Sequence, residues 1–173
     1  MRSLIPALAL AAFVAAPAYA QDKMSNDDQA AMKQLASANI AEIQSGKMAA
    51  SKAQSPEVKK FAQQMVTDHG KMLEDLKSLA KSKGVALPDS APMKDMAQSK
   101  LLERKSGAEF DKDYMEHMVK DHEKDVQDTQ NIAAKAKDPQ FKSAVQQANG
   151  KIREHLQMAQ RLAQAAAAGS SSK

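Results

Sequence analysis

Apolar residues recur along this chain at alternating steps of three and four, the spacing that keeps one helical stripe facing a core. The clearest run is Ser55 to Gly84. Val58, Ala62, Met65, His69, Met72, Leu76 and Leu79 form one stripe. Ser55 suits the cap, Pro56 the first helical position, and Glu57 the positive end of the dipole. Gly84 marks the left-handed stop, with Lys81 and Lys83 in the last turn. The pattern predicts three further long helices. The first runs from Asn26 to Gln54, with Asn26 and Asp27 as caps and a stripe of Met32, Leu35, Asn39, Glu42, Gly46, Ala49 and Ala53. The third runs from Ala108 to Lys137. The fourth follows the Asp138-Pro139 break and extends to Ala168, with Phe141, Val145, Ala148, Ile152, His155, Ala159 and Leu162 inward and a kink at Asn149-Gly150.

The breaks at Ser55-Pro56 and Asp138-Pro139 leave almost no loop, so each joins antiparallel neighbours. The segment VALPDSAP, Val85 to Pro92, is the long connection, followed by a short helix from Met93 to Lys105 and an interruption at Ser106-Gly107. The expected fold class is all-α, an antiparallel four-helix bundle with a short extra helix in the helix 2–3 connection. Phe61, Met65, Asp68-His69 and Lys71 echo Tyr114, Met118, Asp121-His122 and Lys124. The echo sets His122 on its stripe where His69 stands, and it relates single helices rather than helix pairs.

Composition adds three constraints. Arg2, the apolar run Leu4 to Ala16 and Ala18-Tyr19-Ala20 form a secretory leader with a cleavage pattern. The expected organisation is a signal peptide at 1–20, a polar lead at 21–25, the bundle domain at 26–168 and a disordered polar tail at 169–173, with export to the periplasm or beyond. No cysteine is present, which removes disulfides and thiolate ligands and leaves packing to hold the fold. The formal net charge is +4 with both signs interspersed, and only 3% of residues are aromatic, so a nucleic-acid surface is not expected. Weak contact with anionic envelope surfaces is permitted. No stretch after the leader is apolar enough to span a bilayer, and no alternating strands suggest a barrel.

Placing both short joints at one end of the bundle and counting inward sets Glu42, His69, His122 and His155 within roughly 6 Å along the axis at 1.5 Å per residue. Each helix contributes one of them to its stripe. Groups of this kind are costly to bury alone and should be satisfied together. Three imidazoles and a carboxylate suit a transition metal such as zinc, copper or iron. A metal-free hydrogen-bonded layer, in an envelope structural, stress or interaction protein, is the other solution. Asp68, Asp121 and His117 are candidates to orient the ligand rings. The simpler reading pairs Asp68 with Lys71 and Asp121 with Lys124 on the surface. Among the eleven methionines, Met72, Met118 and Met158 lie a turn beyond the imidazoles, where a thioether layer would suit copper. Adaptable core filling accounts for them more simply. The Glu-x-x-His pair of di-iron bundles is missing and no nucleophile triad stands out, so an enzyme is not the favoured reading.

The run from Ala38 to Pro88, containing AEIQSGKMAASKAQSPEVKKFAQQMVTDHGKMLEDLKSLAKSKGVALP, resembles the domain-of-unknown-function family 4142, as do GAEFDKDYMEHMVKDHEKDV and KIREHLQMAQRL. The resemblance implies an exported ferritin-like four-helix protein of the bacterial envelope, of a kind often labelled outer-membrane. It places the family's acidic and histidine positions at Glu42, Asp68-His69, Asp121-His122 and His155-Leu156. Where the family tends to carry a Leu-Pro break in its last helix, this chain has Asn149-Gly150.

Overall fold

A computed structural model describes residues 23–170. The expected leader and residues 171–173 of the expected tail lie outside them. Among the described residues there are five helices and no strand: α1 (Asn26–Lys52), α2 (Pro56–Lys83), α3 (Met93–Glu103), α4 (Gly107–Lys135) and α5 (Pro139–Ser170). The four long helices form the all-α bundle that the stripes predict, with α3 as the extra short helix.

Most ends obey the expected local chemistry. Ser55 Oγ accepts from the Val58 amide at 3.3 Å, Asp138 Oδ1 accepts from the Phe141 amide at 2.9 Å, and Gly84 stops α2 at φ 67°. Gly107 turns the chain from α3 into α4 at φ 62°, a conformation that costs glycine little. The first cap differs from expectation. Ser25 Oγ, one residue ahead of Asn26, accepts from the Asp28 amide at 3.1 Å. Helix five runs without interruption through Asn149-Gly150. Asn149 instead donates to the Val126 carbonyl at 2.8 Å and to Thr129 Oγ1 at 2.7 Å, tying α5 to α4.

The two tight joints lie at opposite ends of the bundle, not at the same end. Asp111, near the start of α4, accepts from the amides of Gln54 and Ser55 at 3.0 and 2.7 Å. Asp28, near the start of α1, accepts from the amides of Lys137 and Asp138, the latter at 2.8 Å. The segment carrying α3 therefore crosses the length of the bundle, and α4 runs parallel to α2. Packing is closest within the hairpins α1–α2 and α4–α5, which meet more lightly along α2–α5 and α1–α4.

One constant offset in residue number relates the two hairpins. It carries Asp28 to Asp111, Leu35 to Met118, Asn39 to His122, Glu42 to Asp125 and Ser55-Pro56 to Asp138-Pro139. The hydrogen bonds obey the same offset, so the bundle has an approximate two-fold axis between hairpins. This relation differs from the α2–α4 echo visible in the sequence.

Two apolar clusters fill the ends. One gathers Phe61, Met65, Phe110, Tyr114 and Met118, the other Met32, Leu73, Leu76, Phe141 and Val145. The stripe of α2 shifts between them, from Met65 to Leu73 and Ala80 rather than to Met72 and Leu79. A straight helix drifts against a strict seven-residue repeat, and this shift is that drift.

Candidate metal centre

Between the two clusters lies a polar layer. His69, His122 and His155 stand at the midpoints of α2, α4 and α5 and are 3%, 0% and 0% exposed. Mid-helix positions keep the same height whichever end is counted, which is why the level holds although the joints were assigned to one end. The ring centroids are 5.8 Å apart for His69–His122, 5.3 Å for His69–His155 and 5.6 Å for His122–His155. One nitrogen from each ring lies within 4.8 Å of the others.

Each ring is held by an acceptor on its outer side. His69 Nδ1 donates to Asn39 Oδ1 at 3.0 Å, His122 Nδ1 to the Met118 carbonyl at 2.9 Å, and His155 Nε2 to Asp68 Oδ2 at 2.8 Å. The Asn39 amide donates in turn to the Leu35 carbonyl at 2.8 Å, which turns its oxygen toward His69. An imidazole nitrogen facing an acceptor carries the proton, so the other nitrogen keeps its lone pair. Those are His69 Nε2, His122 Nε2 and His155 Nδ1, all buried and without a hydrogen-bond partner.

The electrostatics keep all three rings neutral. Burial, then the neighbouring rings, drives His69 well below the ordinary histidine range. Burial, reinforced by His155, takes His122 down to about 3. Burial also lowers His155, opposed by Asp68. For Asp68, burial acts upward, but the hydrogen bonds from His155 and Gln64 outweigh it and hold the carboxyl below its usual value. Three neutral imidazoles with converging lone pairs form a nitrogen donor set that needs no proton displaced from it.

The carboxylates near the histidines are placed differently from the surface pairing. Asp68 binds His155, while Lys71 pairs with Asp75 at 2.9 Å. Asp121 pairs with His117 at 3.1 Å, and Lys124 with Asp128. Glu42 is 6% exposed with Oε2 unpartnered, but it does not join the three histidines. It lies one turn from the midpoint of α1, and Asn39 holds that midpoint. The sequence reading missed Asn39 as a partner of His69, although it stands on the predicted stripe and matches His122 under the two-fold offset. Met118 contributes its carbonyl to His122, and Met72 and Met158 are partly buried.

A cavity of about 510 Å³ opens between the hairpins and reaches His69. Asn39, Glu42, Asp68, Asp121 and Asp125 share its wall. Among the described residues no helix is long and apolar enough to cross a membrane.

The fold and this layer define a helical-bundle protein with a buried triad of neutral imidazoles. The chain belongs to the family described as Domain of unknown function (DUF4142), whose model matches residues 14–162. No curated protein matches it in sequence. Among solved structures it is similar to CopM in the Cu(I)-bound form, at 19% identity and a TM-score of 0.66, and to CopM in the Cu(II)-bound form, at 17% and 0.65. In both cases 79% of this chain and 95% of the other are covered, and the likeness is one of fold.

Proposed function

We propose that this protein binds a transition-metal ion on His69, His122 and His155, with Asp68, Asn39 and the Met118 carbonyl fixing the ring orientations. The observation that carries the reading is that each of three clustered rings keeps one buried nitrogen without a hydrogen-bond partner, with a nitrogen from each ring within 4.8 Å of the others. Left alone, each is a desolvated acceptor costing about 1–3 kcal/mol. A cation that accepts all three removes that cost. Neutral imidazole suits zinc, copper or iron, and further coordination is open to solvent from the cavity beside His69. The similar structures are copper-bound forms, which favours copper among these. The leader pattern supports export, so the protein would meet the metal in the periplasm or outside the cell.

The test is calorimetric titration of chelator-treated protein with Zn2+ and Cu2+, and anaerobically with Cu+, beside His122→Ala and a variant with all three histidines changed to alanine. One ion per wild-type chain, a melting temperature that rises with metal, and loss of both in the variants are expected. Equal heats from wild-type and folded triple variant would leave the layer as a structural, metal-free feature.

A further inference from the structure

The two-fold offset that pairs the hairpins also pairs Glu42 with Asp125. Both open onto the cavity between α1 and α4, beside Asp121 and Ser45. Glu42 Oε2 is buried and has no hydrogen-bond partner, and so is Ser45 Oγ, 5% exposed as a residue, one turn along the same helix. Among the described residues neither Glu42 nor Asp125 has an ion pair. Three of the four lysines on the cavity wall are engaged elsewhere, Lys71 with Asp75, Lys124 with Asp128 and Lys151 with Glu154, and the fourth, Lys94 on α3, acts on Asp121. Two carboxyls from facing hairpins thus share one cavity wall, neither of them in an ion pair, with room for several waters.

We infer that Glu42 and Asp125 form a second cation site, oxygen-rich and separate from the imidazole triad, that takes a hydrated hard divalent ion such as Mg2+ or Mn2+. A small hard cation keeps much of its water and is held by one or two carboxylates, so a two-carboxylate wall with space beside it is sufficient. Ser45 and Asp121 share the same cavity wall. Asp125 is partly exposed and marks the solvent side, while Glu42 closes the inner side. Burial, and then Asp125, raises Glu42, in keeping with a shared cavity. The inference stands whether or not the histidines bind a metal, because the two donor sets share no residue.

Mn2+ titration of the chelator-treated full-length chain at about pH 8, read by the electron paramagnetic resonance signal of free Mn2+, tests it. Wild-type protein and His122→Ala should each take up one ion. Glu42→Gln and Asp125→Asn should each weaken uptake at least tenfold while keeping the wild-type circular dichroism. Asp125→Asn, at the partly exposed position, carries the test if Glu42→Gln fails to fold. Absence of saturable uptake by wild-type protein, uptake unchanged in Asp125→Asn, or uptake lost in His122→Ala alone would each overturn the assignment.

Discussion

Asp68 on α2 reaches across the bundle to His155 on α5, with 2.8 Å between Oδ2 and Nε2. The contact decides which nitrogen of His155 carries the proton, and so which lone pair points inward. Partners of this kind usually matter to metal affinity by about 10–100-fold. Asp68→Ala is expected to weaken metal binding by that range, and Asp68→Asn, which retains an acceptor, by less. Competition titration against a chelating dye reads both. Equal affinities for wild type and Asp68→Ala would show that packing alone orients the ring.

The matched caps at the two ends make a stability prediction. Asp28 and Asp111 each accept from two backbone amides of the opposite hairpin's joint, and both are buried. Replacing either with alanine strands those amides and should cost about 1.5–3 kcal/mol, read by urea unfolding. The sites lie at opposite ends and share no partner, so the double variant should equal the sum within about 0.5 kcal/mol.

Two mid-helix glycines should respond with opposite signs. A Cβ on Gly46 would meet the Ala62 carbonyl oxygen and Val66 Cγ2 at 3.0 Å each, where α1 and α2 come close. The backbone oxygen cannot yield without moving α2, so Gly46→Ala should destabilise by about 1–3 kcal/mol despite alanine's better helix propensity. Nothing lies within 4 Å of a Cβ on Gly150. Gly150→Ala should stabilise by about 0.5–1 kcal/mol, since only the propensity gain remains. Thermal melts of both variants decide it.

The helices were legible because stripe, cap and stop signals agreed at nearly every end. Ser55-Pro56, Gly84 and Asp138-Pro139 each carry a local reason to start or end a helix. The direction of α4 was not legible. It depends on α3 crossing the bundle, and the bonds that fix it, from the Gln54 and Ser55 amides to Asp111, join residues far apart in sequence. The histidine level survived that error because the three rings sit at mid-helix. Glu42 did not, since one turn on α1 separates the midpoint, held by Asn39, from the carboxylate. An amide on an apolar stripe is a weaker sign of a ligand layer than an acid, although its hydrogen bond to His69 is what the layer uses. Asp68 was among the candidate ring orienters, but its partner, His155, was not legible. Its contact crosses between hairpins, whereas the sequence offered a lysine three residues away.

The pH dependence of the metal-free protein should expose two opposed sets of groups. Burial lowers all three histidines, His122 to about 3. The unfolded chain then binds more protons than the fold below about pH 6.5, and stability falls as pH drops toward the folded values. Glu42 and Asp125 act in the other direction. Burial, and then neighbouring carboxylates, raises both, Asp125 to about 7. Their contribution is complete below the unfolded carboxylate values and is lost as pH rises through the folded ones. Between about pH 5 and pH 7 the two sets oppose, so wild-type stability should stay nearly level. Asp125→Asn removes one opposing group and should leave stability rising with pH. His122→Leu should leave it falling as pH rises. Each uncompensated proton is worth about 1.4 kcal/mol per pH unit. Urea unfolding in chelator at several pH values measures the three slopes. A wild-type slope as steep as that of Asp125→Asn would mean that Asp125 is already ionised in the fold at pH 5, and the opposition argued from its burial would fail.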